Sequence, residues 1–508
     1  MLSDRRWERS IWIGGRWVSD RCVALPVVAP ANGDLLATAG EPNASAVGDA
    51  VAEAVDAGYA WSRQPPTERA EVLARAGSLL LQHAEEIVWW LVRESGSVRH
   101  RAESSVRLAA ARFSAATTTA EQAAAEVVLA SSSAGGHSVA RRVPLGVVGI
   151  ITPWNSPLVI AVRALAPALA AGNAVVLKPD PHTPVSGGVV LAALLHEAGL
   201  PGGVLQVLPG GVAVGEALVS DPRLGKVSFT GSTTAGRRVA ALAGEALVSV
   251  GLELGGNNPS IVLDDANLRR AVEAGVRGSF GHQGQVCMAT GRHLVHRSVA
   301  SEYVSALTER AKHLRVGDPA SEDVDLGPLI SEMQANRVEH IVTGTVAGGA
   351  GVRCGARREG NFYWPTVLEG VDRTMPAFTE EIFGPVAPVT VVANDDEALE
   401  LAAATPYGLV ASVFTADPGR GRAMLEQLRT GVGHVNDVTV KSDPTAPFGG
   451  MGWSGNGTRY GALSDTDEFT TWRWLTECGD ERPSGTDAPP SASSGMGAGN
   501  GGNEGGVR

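Results

Sequence analysis

Gly146-Val147-Val148-Gly149-Ile150-Ile151, Ala174-Val175-Val176-Leu177, Val204-Leu205-Gln206-Val207-Leu208 and Lys226-Val227-Ser228-Phe229 are four short runs rich in β-branched residues, separated by stretches of helical length. Nearly continuous apolar runs suit strands covered on both faces. Their alternation with helix-like segments near 158–170, 185–198 and 212–219 predicts βαβ units and a mainly parallel sheet, hence a nucleotide-binding domain.

On the C-terminal side of this block stand Leu252-Glu253-Leu254-Gly255-Gly256-Asn257 and, further on, Phe280-Gly281-His282-Gln283-Gly284-Gln285-Val286-Cys287. A carboxylate beside two glycines and a cysteine reached through another glycine run place a base and a nucleophile on backbones free to turn tightly. That combination points to covalent catalysis. Taken singly, Cys287 reads as a small buried hydrophobe and Glu253 as a capping or surface carboxylate. Phe229-Thr230-Gly231-Ser232-Thr233-Thr234-Ala235-Gly236 sets a glycine and an N-cap type residue between a strand and a helix, where free N–H groups and the helix dipole suit a pyrophosphate. An ordinary helix start has the same pattern.

The 508 residues predict about two to four domains, and a 44% hydrophobic content is enough to bury substantial cores. The net charge of −12, with no block of lysine or arginine longer than a pair, argues against a nucleic-acid surface. Leu158–Leu177, the most apolar stretch, contains Arg163, Pro167, Gly172 and Asn173, which suit a buried helix and turn rather than a membrane span. The charged N-terminus lacks a signal-peptide core, and the four cysteines, at 22, 287, 354 and 478, contain no CxxC, so a reducing, cytoplasmic setting is expected.

Elsewhere, Ile11–Val18 reads as two strands around a glycine turn, residues 45–125 as several helices, 131–136 as a turn and Ser138–Val143 as a strand. A second α/β stretch runs from 255 to about 446. Pro447-Phe448-Gly449-Gly450 then opens a glycine-rich segment leading to a last strand over Phe469–Leu475. Residues 479–508 hold nine glycines and no aromatic residue, a composition expected to stay disordered; the GxGxxG-like match at 497–502 has no strand before it and carries no meaning.

The Glu253 and Cys287 motifs, with Leu177-Lys178-Pro179-Asp180-Pro181 and Gly278-Ser279-Phe280 through Gly291-Arg292-His293, resemble those of the aldehyde dehydrogenase superfamily, in particular its benzaldehyde and aromatic aldehyde branch, over about residues 10–475. The resemblance implies an α/β fold. A Rossmann-type cofactor domain would comprise 1–125 and 145–254, an α/β catalytic domain 255–446, and a small β oligomerisation arm with the C-terminal segment 126–144 and 447–478. It further implies NAD-dependent oxidation of an aldehyde, with NADP also accepted, in a homodimer or homotetramer. Carried over by residue, Cys287 is the nucleophile, Glu253 activates the hydrolytic water, and Asn155 in Pro153-Trp154-Asn155-Ser156-Pro157 joins the Cys287 N–H in the oxyanion hole. Lys178 and the Gly231-Ser232 turn with Trp154 bind the adenosine ribose and the phosphates, and Glu381 and Phe383 the nicotinamide ribose.

Three positions depart from the family pattern. Pro181 replaces a glutamate that grips the ribose hydroxyls in many members, Gly452 replaces a common lysine, and Arg459 replaces a glutamate proposed as a second proton acceptor. Ser156, where many relatives carry phenylalanine, is expected to open space in the aldehyde tunnel for an aromatic ring. Its companions Val286 and Met288 supply no charge there. His293-Leu294-Val295-His296 is set aside as a metal site because residues three apart on a strand face opposite ways, and no GxSxG is present. Two other readings share these motifs: a CoA-acylating semialdehyde dehydrogenase, and a non-enzymatic member of the fold.

Overall fold

In the computed structural model, which describes residues 1–2, 5–129 and 137–477, two seven-stranded sheets organise the chain. The turn read at 131–136, Cys478 and the glycine-rich tail lie outside the described residues. By contact the chain divides into Met1–Ala125 with Arg142–Arg473, and Glu126–Arg141 with the chain from Trp474 on.

The first sheet runs in the order Ser249–Glu253, Leu224–Thr230, Val147–Ile151, Ala174–Lys178, Leu205–Val207, Ile11–Ile13, Arg16–Val18. Its first five strands pair in parallel, and the N-terminal hairpin adds two antiparallel strands at the edge. Alternate side chains divide between two cores. Val148, Ile150, Val175 and Leu177 enter one, and Val147, Ile151, Ala174 and Val176 the other. Burial on both faces is why these strands read as unbroken apolar runs. Sequence order steps outward from Val147–Ile151 to Leu205–Val207, then returns to Leu224–Thr230 on the other side. A ligand crevice belongs at the carboxyl ends of strands where the order reverses, here Thr152–Asn155 and Gly231–Ser232.

The second sheet has the order Gly351–Cys354, Thr366–Glu369, Val386–Val392, Thr290–His296, Asn258–Val262, Val410–Phe414, Val432–Val435, parallel except for its first strand. Ile261, Leu294, Leu368 and Val413 face one core, and Val262, Val295, Val367 and Phe414 the other. The chain crosses from the first sheet to the second in the few residues between Glu253 and Asn258, so the Glu-Leu-Gly-Gly motif is the crossing itself.

Residues 45–125 form four helices, Ala44–Trp61, Pro66–Gln82, Ala84–Ser95 and Arg99–Gln122. The apolar 158–177 stretch is a buried helix, Pro157–Ala170, followed by a turn and strand, and no described helix is long and apolar enough to cross a membrane. In the smaller unit, Glu126–Leu129 pairs antiparallel with the strand His137–Pro144, and Trp474 Nε1 donates to Ser138 Oγ at 2.8 Å.

Two local expectations are revised. The helix expected over 185–198 begins as a π-turn, Val185–Val189, before the α-helix Val190–Glu197, because a Cβ at Gly188 would lie 2.7 Å from Pro179 Cγ and the backbone packs against that proline. Phe469 ends a short helix, Asp465–Phe469, rather than opening the last strand, since its ring is buried in the first core and its carbonyl accepts from Asn173 Nδ2 at 2.9 Å.

The π-turn hangs on Glu94. Its buried carboxylate accepts the Val185 and Ser186 N–H groups at 2.8 and 2.7 Å and the Ser186 hydroxyl. Glu94→Ala strands both backbone donors, so a loss on the order of 3 kcal/mol and a lowered melting temperature by calorimetry are expected. An unchanged melting temperature would contradict this account of the turn.

Candidate active site

Glu253 ends a strand of the first sheet and Cys287 precedes a strand of the second, so the crossing faces the nucleophile loop. The loop has an unusual backbone. His282, Gln283 and Gly284 are all left-handed, with φ of 53°, 56° and 68°. Two non-glycine residues in that region are strained and persist only when their surroundings over-determine them. Here the determinants are explicit. Gln283 Nε2 donates to Gly96 O and Pro328 O at 2.8 and 3.0 Å, Gln285 Oε1 accepts from Ile330 N, and His282 Nε2 lies 2.5 Å from Asn155 O. Asn258 completes the clamp: its Nδ2 donates to Cys287 O and Ala289 O at 2.8 and 2.7 Å, and its Oδ1 accepts from Val410 N at 3.0 Å.

Asn155, buried, donates one amide hydrogen to Gln285 O at 2.9 Å, which fixes the amide beside the cysteine loop and leaves its second N–H for another acceptor. Among the described residues the Cys287 N–H has no protein acceptor. The cysteine loop therefore carries a free backbone N–H at Cys287 and is bound by an amide with a second N–H to spare, the two kinds of donor that can stabilise an oxyanion.

The charges are unevenly solvated. Burial pushes the Glu253 carboxyl up to about 7, against Arg163, a 3.4 Å hydrogen bond from Gly450 N, and Arg459. Arg163 Nη1 stands 3.7 Å from Glu253 Oε2, its Nη2 donates to Thr230 Oγ1 at 3.0 Å, and its guanidinium lies over the rings of Tyr460 and Phe448 at 4.9 and 5.2 Å. Burial likewise pushes the Cys287 thiol up to about 12; Arg163 favours its thiolate, while Glu253 and Glu381 oppose it. With these protein groups alone, the thiol keeps its proton at neutral pH.

The glycine-rich segment covers Glu253 through the Gly450 contact and through Leu254 N donating to Ser454 O at 3.0 Å. Gly452 has φ of 62° and a Cβ there would lie 2.5 Å from Pro406 O, so a lysine does not fit this backbone. Arg459 binds the carbonyls of Gly450 and Thr458 at 3.1 and 2.8 Å, making it a brace of the segment.

The remaining expected residues gather at the carboxyl edge of the first sheet and opposite it. Among the described residues the buried Lys178 Nζ has Pro179 O as its one hydrogen-bond partner, at 3.3 Å, and burial lowers its pKa against Asp180 and Glu41. Gly231 donates to Glu253 O at 3.0 Å, and a Cβ there would meet the Phe229 ring at 2.5 Å. Ser232 caps the helix Thr233–Glu245 by accepting from Ala235 N. Trp154 and Phe383 meet edge to face at 5.4 Å, with Phe383 itself at φ 53°. Glu381 accepts Gly256 N–H at 2.9 Å, and burial pushes its carboxyl up to about 7. Val286 is buried and Met288 half-buried beside Cys287. Among the described residues the Thr152 hydroxyl, just past the end of the strand Val147–Ile151, is buried without a partner. Spare lysine donors, an unsatisfied hydroxyl and the N-terminus of the helix Thr233–Glu245 at a switch point fit a dinucleotide.

Four residues that sequence reading passed over now belong to the site: Arg163, Asn258, His282 and Arg101, whose Nη2 donates to Ser156 Oγ at 3.3 Å. The space expected beside Ser156 is therefore bounded by a guanidinium, and the pocket does contain a charge. A single charge inside the apolar 158–177 run was the available signal for Arg163; nothing local distinguished Arg101. His293 is engaged by Ser279 and Tyr303, each at 2.8 Å.

A parallel sheet whose carboxyl edge presents a dinucleotide crevice to a cysteine, a buried carboxylate and two N–H donors defines a dehydrogenase of the covalent-cysteine class. The aldehyde dehydrogenase family model matches residues 17–475, and the chain belongs to that family. It is 47% identical to a vanillin dehydrogenase of an Amycolatopsis species, over 94% of this chain and 98% of the relative, and 44% identical to an NAD(+) benzaldehyde dehydrogenase of Pseudomonas putida, over 92% and 97%. Among solved structures it is similar to betaine aldehyde dehydrogenase from Staphylococcus aureus in complex with NAD+, at 28% identity, a TM-score of 0.90 and coverage of 94% and 96%. It is likewise similar to an E. coli NADP-dependent enzyme, at 32% identity, a TM-score of 0.89 and coverage of 94% and 99%. This chain is an aldehyde dehydrogenase that uses a nicotinamide dinucleotide.

The Asn258 clamp makes a direct prediction. Asn258→Ala releases two carbonyls of the cysteine loop, Cys287 O and Ala289 O, and the Val410 N–H of the neighbouring strand, so amides 285–289 should exchange with solvent at least about tenfold faster by mass spectrometry, with a parallel loss of turnover. Unaltered protection of that peptide would mean the clamp is not what holds the loop.

Proposed function

We propose that this enzyme oxidises a benzaldehyde-type aromatic aldehyde to its carboxylic acid, with Cys287 as nucleophile, Glu253 as base, and the Asn155 amide with the Cys287 N–H as oxyanion donors. The observation that carries the proposal is the convergence of those three side chains at the sheet crossing, and the substrate class is supported by the likeness to vanillin and benzaldehyde dehydrogenases. Cys287 Sγ, once its proton has passed to solvent, bonds as the thiolate to the aldehyde carbon, and the two N–H donors take the developing negative oxygen. Losing one such donor typically costs about 3 to 4 kcal/mol of transition-state stabilisation. Glu381 and Phe383 would hold the nicotinamide end of the dinucleotide, which would supply the hydride acceptor needed to leave the acyl group on Cys287 as a thioester.

Glu253 then takes a proton from the attacking water. A carboxyl whose pKa is raised to about 7 is ionised in part at neutral pH and is a stronger base than an exposed one. Arg163 tunes it from 3.7 Å away. Lys178, Ser232 and Trp154 hold the adenosine ribose and phosphates, and Glu381 and Phe383 the nicotinamide ribose. NAD is preferred over NADP. In the absence of a glutamate at 181, negative charge beside Lys178 is still supplied by Glu41, whose Oε1 accepts Gly211 N–H at 2.8 Å and whose charge acts on Lys178.

Assembly as a homo-oligomer through the small sheet is supported by its exposed apolar side chains, Val128 at 69% and Trp474 at 70%. A cytoplasmic setting agrees with the cysteines among the described residues, Cys22, Cys287 and Cys354, being unpaired.

Cys287→Ala abolishes turnover while NAD binding persists. Glu253→Gln gives a burst of reduced cofactor followed by a much slower steady state. Because the base must be ionised, wild-type steady-state kcat rises as pH passes through about 7. Arg163→Met, by removing the charge that favours the carboxylate, moves that rise to higher pH. Full turnover by Cys287→Ala, or a pH limb indifferent to Arg163, would overturn the assignment, and product requiring added CoA would replace it with acyl transfer.

A further inference from the structure

Arg99 and Arg101 sit at the start of one helix, Arg99–Gln122, about 200° apart around its axis. Their surroundings are opposite. Arg99 is exposed and reaches two carboxylates, Glu85 at 2.6 Å and Glu103 at 3.1 Å. Arg101 is half-buried, and its guanidinium makes one hydrogen bond, to Ser156 Oγ at 3.3 Å. Among the described residues no carboxylate pairs with it, and no further partner exists for its other N–H groups. The surrounding elements add no anion. His282, on the neighbouring loop, is kept neutral by burial and by the Arg101 charge itself, and the one opposite charge in reach is the Cys287 thiolate when it forms.

A guanidinium carries five N–H donors in a planar fork, and keeping one half-buried without a counter-ion is unfavourable. A site that keeps such a group beside the residue next to Asn155 is built to receive an anionic oxygen. The fork matches a carboxylate in both charge and shape, and a phenolate in charge. Ser156 belongs to the same device. Phenylalanine at this position, common in relatives, would remove the hydroxyl that orients Nη2 and would cover the guanidinium with a ring.

We propose that Arg101 is a specificity residue, binding an anionic oxygen carried on the ring of the aromatic aldehyde, a phenolate or a carboxylate, while Ser156 holds its fork in place. This rests on the aromatic-aldehyde reading above and narrows it to ring-oxygenated aldehydes. Benzaldehyde itself leaves the guanidinium unpaired and is the poorer substrate.

The test compares kcat/KM of the full-length enzyme with NAD for benzaldehyde, 4-hydroxybenzaldehyde above the pH at which its phenol ionises, and 4-formylbenzoate. Wild type, Arg101→Met and Arg101→Lys are assayed, each checked for melting temperature and NAD binding. The expected result is that Arg101→Met lowers the ratio of the phenolate or the carboxylate substrate to benzaldehyde by about tenfold to a hundredfold, chiefly through KM, and that Arg101→Lys restores part of it. The arm that loses its advantage identifies which oxygen is read. An equal loss for all three substrates, carried by kcat, would assign the charge to Cys287 instead and overturn the proposal, as would ratios that do not move. If wild type turns over no aromatic aldehyde but does oxidise aliphatic ones, it is the substrate class that fails first.

Discussion

One side chain ties the two halves of the chemistry together. Asn258, the first residue of a strand in the second sheet, is five residues beyond Glu253 and binds Cys287 O and Ala289 O at 2.8 and 2.7 Å. Glu253 is fixed by the strand behind it and by Gly450 in front; Asn258 passes that fixity to the cysteine loop. A misplacement of about 1 Å can cost a hundredfold in a positioned reaction. The strained His282-Gln283-Gly284 turn and its bonds to Gly96, Pro328 and Asn155 serve the same end from the other side.

That precision is bought with desolvation. Glu253, Glu381 and Cys287 are all pushed toward their neutral forms by burial; Arg163 pulls both Glu253 and Cys287 back, joined at Glu253 by Arg459. Arg163 can do so because Thr230 and the faces of Tyr460 and Phe448 hold its guanidinium within the apolar helix Pro157–Ala170. The relay carboxylate of many relatives has no counterpart at Arg459, which braces the glycine-rich segment over Glu253 instead.

The parallel sheets were legible in the sequence because strands buried on both faces must be apolar throughout, and the Glu253 and Cys287 motifs because glycines flank both. What could not be read was long-range pairing. Arg101 stands 55 residues before Ser156, and a guanidinium facing a pocket has the same local sequence as one facing water. Asn258 follows an asparagine in a run of small residues, and only the register of two strands makes it a clamp. The π-turn at Val185–Val189 depends on Glu94, which is still further away in sequence.

The central claim is that an acyl group passes through the sulfur of Cys287. Its most direct test is acid quenching of a single turnover with benzaldehyde and NAD, followed by peptide mass spectrometry. A benzoyl adduct confined to the peptide containing Cys287, rising and then decaying as acid appears, is the predicted result. Acid formation with no adduct at any time, or an adduct on Cys22 or Cys354, would contradict it.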